Sequence, residues 1–323
     1  MRDQKSIVLN WEGNPEQPLV SILCDTYNHE NFIRETLLGF LSQETNFPFE
    51  IIVHDDASTD KTAAIVKEFA DQYPLIIKPV FQTVNQYSQK INFWSDVTFP
   101  KAKGTYIALC EGDDYWIDPL KLQKQVDFLE NNADYAITWT DFLMKKESEM
   151  VPNDFKDSLP DIYTIDFDNL FVPYCTYTLT AVFRKTAVDP LDYKKFAYGK
   201  DNTLYALVLC NGKGAYMNFQ SAVYRWHCGG IYSLQKPFTQ RYSSYLNVKE
   251  IYEHIIPQSQ TANVKRVMKT LLKASAYEAL KSVHDKTLDN TKQKEAIKEF
   301  LDQASIGTRI KFFMRSLKSK MLK

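Results

Sequence analysis

The sequence lacks an excess of either charge: 39 Lys and Arg face 40 Asp and Glu, a net charge of -1. Without a basic field, sequence-independent binding to nucleic acid has no electrostatic footing, and no nucleic-acid partner is expected. Long apolar runs are also missing. Met1 to Asn10 has no continuous apolar segment of the kind a secretory leader carries, and nowhere do roughly 18 apolar residues run together as a spanning helix requires. A cytoplasmic chain is expected. Cysteine is sparse, at 24, 110, 175, 210 and 228, with no CxxC pair, which removes a zinc ribbon or redox pair and leaves reduced, packed thiols. There is no internal repeat and no low-complexity tract. Glycine nearly vanishes beyond Tyr232, and no glycine-rich phosphate loop follows the first apolar run.

What is present suffices for a folded domain. At 323 residues and 44% hydrophobic, the chain can bury one large domain, with or without an appendage. Apolar runs at Leu19 to Cys24, Phe49 to Val53, Leu75 to Phe81, Thr105 to Cys110 and Tyr135 to Thr140 read as strands. Between them Ile33, Leu37, Phe40 and Leu41, then Ile65, Val66 and Phe69, then Leu122, Val126 and Leu129 recur at helical spacing. Ser58, Thr59 or Asp60 is expected to cap the second of these helices, and Asp118 with Pro119 to open the third. Residues 145 to 176 read as a loop-rich insertion. Strand-like runs follow at Tyr177 to Phe183, Ala215 to Phe219 and Ala222 to Trp226, with a helix from Asp201 to Cys210, and the remainder reads as helices.

Strands alternating with helices predict an α/β fold whose mostly parallel sheet binds ligands beyond the carboxyl ends of its strands. Acidic clusters sit at those ends. Glu111-Gly112-Asp113-Asp114 puts three carboxylates in four residues. Like charges that close raise one another's pKa unless a cation neutralises them, which suits Mg2+ or Mn2+; the same residues would equally serve as a solvated turn before a helix. Asp55 and Asp56 come too early to cap the following helix and would face the crevice, where a carboxylate can accept an imide or ribose proton. Asp25 and Tyr27 end the neighbouring strand, the tyrosine offering a face for a base.

The segment Pro18 to Leu129, about a third of the chain, resembles the nucleotide-binding half of the family 2 glycosyltransferases, which adopt the GT-A fold. The resemblance rests on Val20-Ser21-Ile22-Leu23-Cys24-Asp25-Thr26-Tyr27-Asn28, on Glu50 to Asp60 (EIIVHDDASTD), and on Lys103 to Trp116 (KGTYIALCEGDDYW). It implies that Asp25, Tyr27 and Asp56 hold the nucleoside and that Glu111-Gly112-Asp113 stands for the family's Asp-x-Asp motif. The first acid then meets the ribose, and Asp113 or Asp114 meets a metal on the diphosphate. Glu111 departs from the usual Asp. In the second half, Asp201 falls where relatives carry the catalytic base of an inverting transfer, the alternative being a helix cap. Tyr224-Arg225-Trp226-His227 resembles a Tyr-Arg-x-His segment, which implies Arg225 on the diphosphate and His227 at the metal. Lys90 lies where some relatives put a basic donor-binding residue.

The expected organisation is a GT-A domain over 1–232, with a nucleotide-sugar half at 18–130 and an acceptor half at 131–232, followed by a helical region over 233–323. The expected activity is metal-dependent transfer from a nucleotide-diphosphate sugar, a UDP-sugar by preference, to a hydroxyl on a glycan or lipid-linked glycan. Residues 306 to 323 hold six basic residues and no acidic ones, with Ile306, Ile310, Phe313, Leu317 and Met321 at helical spacing. This fits either an amphipathic helix on an anionic membrane or a docked terminal helix. The competing readings are a non-catalytic nucleotide-sugar-binding scaffold and a nucleotidyltransferase.

Overall fold

The computed structural model describes residues 2–321, apart from 93, 154–157, 228, 231–233, 258–260, 283, 284 and 286, and excludes the side chains of 315–321. Chain contacts divide it into two units, one of 1–197 with 204–226 and one of 198–203 with 227–323.

In the first unit a short helix α1 (Gln4–Val8) precedes β1 (Val20–Thr26), α2 (Ile33–Leu41), β2 (Phe49–Asp55), α3 (Thr62–Gln72), β3 (Ile77–Phe81) and β4 (Tyr106–Leu109). Strands β3, β2, β1 and β4 lie side by side in that order, all parallel. A sheet covered on both faces is buried throughout, which explains why β1 and β2 read as near-continuous apolar runs rather than alternating ones. Ile33, Leu37, Phe40 and Leu41 of α2 and Val66 and Phe69 of α3 pack into the same core as Ile22, Ile51 and Val53. The approach of β1 to the chain entering β4 needs a glycine. A Cβ at Gly104 would overlap the Ser21 amide nitrogen and stand 2.7 Å from the Val20 carbonyl carbon. Around it, buried Glu50 accepts the Ser21 hydroxyl at 2.6 Å and the Lys103 amide at 2.8 Å.

The rest of this unit converts the parallel sheet into a mixed one. It comprises β5 (Tyr115–Trp116), α4 (Lys121–Asn131), β6 (Tyr135–Lys146), β7 (Glu149–Pro152), β8 (Ile162–Ile165), β9 (Val182–Arg184), α5 (Pro190–Tyr193) and β10 (Lys213–Trp226). Strand β9 inserts antiparallel between β4 and β6, and β10 runs parallel to β6. The segment expected to be loop-rich thus supplies two strands, β7 against β6 and β8 against β10. The strand expected over Tyr177 to Phe183 is a 3-10 turn at Thr178–Thr180 and then β9. There the Thr180 amide and hydroxyl both donate to the Tyr177 carbonyl, and the Leu179 carbonyl accepts the Trp116 indole at 2.8 Å. The two runs at 215–219 and 222–226 are one strand, β10, whose register shifts between Met217 and Ala222 gave the appearance of a break.

Two capping expectations are refined. Helix α3 begins at Thr62 after Lys61, whose own side chain makes no cap, and of the three expected residues only Asp60 reaches the first helical amide. Ser58 and Thr59 instead meet Asn28, the Ser58 hydroxyl accepting its amide at 2.9 Å and the Thr59 amide donating to its side chain at 2.8 Å. Asp60 takes the amides of Thr62 and Glu30 at 2.9 and 3.0 Å. Helix α4 begins at Lys121, and Asp118 accepts the Leu120 amide in the turn before it. Of the cysteines expected to be packed, Cys24, Cys110 and Cys175 are buried, Cys210 is exposed, and Cys228 lies outside the described residues.

The second unit contains α7 (Pro237–His254), α8 (Ala262–Lys281), α9 (Asn290–Gln303) and α10 (Ile306–Met321), and shares α6 (Asp201–Leu209) with the first through its opening residues. Its own core joins Phe238, Tyr245, Leu272, Ala276, Phe300 and Phe312. Asp289 caps α9 through the amides of Thr291 and Lys292. Among the described residues no helix is long and apolar enough to cross a membrane.

This packing has two measurable consequences for stability. Gly104→Ala should cost about 1–3 kcal/mol in denaturant unfolding, since the added carbon meets backbone rather than a movable side chain; an unchanged midpoint contradicts the close approach. Lys121 is fully buried, its ammonium 4.1 Å from the Trp116 ring and 2.8 Å from Gln125 Oε1, and burial lowers its pKa to about 7. The unfolded chain then binds up to one proton more than the native state between about 7 and the ordinary 10.5. Wild-type stability relative to Lys121→Met should therefore rise with pH across that window. A pH-independent difference would show the lysine to be charged in the native state.

Candidate functional site

Three loops meet at the carboxyl ends of β1, β2 and β4, all within the first unit. The Asp56 amide donates to the Thr26 carbonyl at 3.0 Å, and the Gly112 amide to the Asp25 carbonyl at 2.9 Å, so the loops after β2 and β4 are both fastened to the end of β1. At Gly112 a Cβ would meet Thr26 Oγ1 at 2.6 Å, which explains a glycine between two acids. The Thr36 hydroxyl of α2 lies 3.0 Å from the Gly112 carbonyl and 2.6 Å from that of Asp114, tying the acidic turn to the helix below.

The acids in this turn are not equivalent. Asp114 is 3% exposed and accepts the Arg225 amide at 2.8 Å. Burial, reinforced by the charge of Asp113, pushes its pKa well above the usual carboxylate range, with Arg225 opposing. Asp113 keeps a side chain that is 21% exposed and lies 3.7 Å from His29 Nε2. Glu111 is half-buried. The Arg225 guanidinium pairs with the Glu35 carboxylate, donates to the Asp113 carbonyl and stacks 4.2 Å from the Tyr115 ring centroid. Its fork therefore braces the turn from the protein side.

On the neighbouring loops, the Asp25 pKa is raised by burial although His54 approaches it at 3.1 Å. Asp55 accepts the Ser58 amide through Oδ2 at 3.2 Å, whereas its buried Oδ1 and the buried hydroxyl of Thr26 have no hydrogen-bond partner among the described residues. Asp56 takes the amides of Gln86 and Tyr87 at 2.5 and 3.1 Å, which engages two of the roughly four acceptor positions of a carboxylate. Tyr27 is 41% exposed. Lys90 is exposed and left-handed at φ 60, closing the short 3-10 turn Tyr87–Gln89.

The remaining expected residues belong to the second unit. Asp201 is exposed and opens α6 as its first helical residue, one position inside where a cap would stand. The segment around it is held by Asn247, whose amide donates to the Tyr198 carbonyl at 2.9 Å and Thr203 Oγ1 at 2.7 Å. His227 is half-buried, and its Nδ1 accepts the Gly229 amide at 3.2 Å.

Among the described residues no group of three or more His, Cys, Asp and Glu side chains could hold a metal ion by itself. A Mg2+ or Mn2+ site on a nucleotide substrate needs only one or two protein carboxylates, with phosphate and water completing it. Of the two expected aspartates Asp113 is the more open, and Asp114 is buried with one carboxylate oxygen engaged by the Arg225 amide. Thr26 and His29 lie in the polar cluster that follows the first strand, but the sequence gives neither a role of its own; Glu35 and Thr36 were missed, because they act through contacts that no spacing reveals.

A family model for glycosyl transferase family 2 matches residues 21–189, just over half of the 323-residue chain. The chain belongs to this family. A Mycobacterium tuberculosis (strain ATCC 25618 / H37Rv) protein described as uncharacterized is 35% identical over 226 residues, 66% of this chain and 60% of the relative. This chain thus spans under two thirds of the length of that relative. An Escherichia coli protein named UDP-Glc:alpha-D-GlcNAc-diphosphoundecaprenol beta-1,3-glucosyltransferase WfaP is 28% identical over 215 residues, 66% of this chain and 79% of its own. Among solved structures, Staphylococcus aureus TarS 1–349 in complex with UDP-GlcNAc superposes with a TM-score of 0.64 at 18% identity, over 87% of this chain and 80% of that one. The mannosyltransferase PcManGT from Pyrobaculum calidifontis, in complex with GDP-Man and Mn2+, gives 0.57 at 13%, over 97% and 89%. At these identities the likeness shows the fold, a GT-A glycosyltransferase arrangement with C-terminal helices.

The inequality of the two aspartates is testable without any ligand. Asp114→Asn keeps an acceptor for the Arg225 amide and should hold or raise thermal stability. Asp114→Ala leaves that buried amide unpaired and should cost about 1–3 kcal/mol. Equal melting of the two variants would contradict the assigned hydrogen bond.

Proposed function

We propose that the chain transfers a sugar from a nucleotide-diphosphate sugar, a UDP-sugar, to a hydroxyl of a glycan acceptor with inversion at the anomeric carbon. The observation that carries this is the acidic turn fastened to the end of β1, with a partly exposed Asp113 on the same sheet edge as Asp25, Asp55 and Asp56. Family membership and the UDP-sugars named for the Escherichia coli and TarS proteins support the donor class.

Asp56 retains lone pairs for an imide proton and Tyr27 an exposed face for the base; Asp25, Asp55 and Lys90 complete the donor contacts, and Glu111 serves the ribose. Gly112 lets the chain approach closely between them. When bound, a divalent cation, Mn2+ or Mg2+, supplies charge neutralisation at the diphosphate, as the Mn2+ named for the Pyrobaculum protein suggests. Asp113 is the proposed ligand from the acidic turn, Asp114 supports it, and Arg225 holds the turn in shape. His227 and Asp201 are proposed from their motif positions, as a metal ligand and as the base that takes the acceptor proton. The acceptor proposed is a lipid-linked glycan at the cytoplasmic face of a membrane, in cell-surface polysaccharide assembly. Its support is the diphosphoundecaprenol acceptor in the name of the Escherichia coli relative.

Incubation with labelled nucleotide sugars and an undecaprenyl-linked acceptor should release nucleoside diphosphate. Pyrophosphate release would indicate nucleotidyl transfer, and no release a binding scaffold. Asp201→Asn should lower transfer by about 100-fold or more while donor affinity stays unchanged. Weakened donor binding alone would remove Asp201 from the role of base.

A further inference from the structure

Helix α10 enters the core of the second unit through Phe312, which is 2% exposed, with the rings of Tyr277 and Phe300 at 5.1 and 5.3 Å. Its other described apolar residues do not follow. Ile306, Ile310, Phe313 and Met314 are 77, 58, 54 and 56% exposed. At about 100° per residue these four occupy an arc of about 100°, centred about 150° from Phe312. The helix is therefore anchored by one face and presents an apolar strip on the opposite one. Arg309 and Lys311, both exposed, flank the strip on either side.

Single exposed apolar residues are ordinary on a protein surface; four aligned on one helix face between basic flanks are not. Charge identifies the occupant. Residues 306 to 323 carry six basic residues and no acidic ones, so a second copy packed on this strip would oppose like charges. An anionic bilayer offers both what the strip and what the flanks need: an apolar layer at acyl depth and negative headgroups above it.

We infer that the exposed face of α10, made by Ile306, Ile310, Phe313 and Met314, docks into the interfacial layer of an anionic membrane. The inference rests on the proposed lipid-linked acceptor, for which it supplies the attachment. The helix lies along the surface and does not span it.

The test is co-sedimentation of the full chain with phosphatidylcholine vesicles, with and without about 30% phosphatidylglycerol, at low and high salt. The expected result is binding that needs phosphatidylglycerol and weakens with salt. A double variant, Ile310→Asp with Phe313→Asp, should lower the bound fraction at least about tenfold without shifting the melting temperature, because neither side chain belongs to the core. Wild-type chain that stays in the supernatant, or a double variant that binds as well as wild type, overturns the docking face. So does a wild-type dimer, seen by light scattering, that the double variant dissociates. A UDP-dependent thermal shift on the same samples separates this from the transferase reading: binding to vesicles without the shift upholds the docking face and removes the donor site, and the converse removes only the docking face.

Discussion

Like charges gathered at one sheet edge are the constraint on which this structure turns. Glu111, Asp113 and Asp114 follow β4, Asp25 lies near the end of β1 beside it, and Asp55 and Asp56 stand at the end of β2, on the far side of β1. Their mutual repulsion has to be managed before any substrate arrives, and the chain manages it by treating the acids differently. Asp114 is buried and bound to the Arg225 amide, Asp56 is bound to the amides of 86 and 87, and Asp25 meets His54. Asp113 keeps a carboxylate that is partly open to solvent, beside His29. It is from this carboxylate that a cation is proposed to bridge to a diphosphate.

The sheet holds those ends in register. Parallel pairing of β1 with β2 and β4 puts three carboxyl ends at one edge, and the contact at Gly104 sets how closely β4 approaches β1. Thr36 carries the same restraint from α2 into the acidic turn. Precision at the turn is therefore inherited from the core, where Ile22, Ile51 and Ala108 pack without exposure. Arg225 links this half to the later strand β10, so that the antiparallel additions are also structural supports for the acids.

The parallel half was legible because its signals are local. Apolar runs marked β1, β2, β3 and β4, helical spacing marked α2 and α3, and acids after the strands marked the site. The second half was less so. Strand β10 carries Gln220 and Ser221 through a register shift, and this polar interruption divides it into two strand-like runs in the sequence. The insertion hid β7 and β8 because short edge strands lack a buried alternation: Glu149, Met150 and Ile162 are all exposed. The difference in setting between Asp113 and Asp114 comes from the Arg225 amide, 111 residues away, and no spacing within the motif could have supplied it. The roles of Thr36 and Glu35 were hidden for the same reason.

Everything proposed for the donor site requires Asp113 to be the carboxylate that meets the donor while Asp114 shapes the turn. Calorimetric titration of UDP with and without Mn2+ into Asp113→Asn and Asp114→Asn, side by side with wild type, measures this directly. Asp113→Asn should lose the Mn2+-dependent gain in affinity, and Asp114→Asn should retain most of it. The reverse pattern, or no Mn2+ dependence in the wild type, would contradict that division of roles.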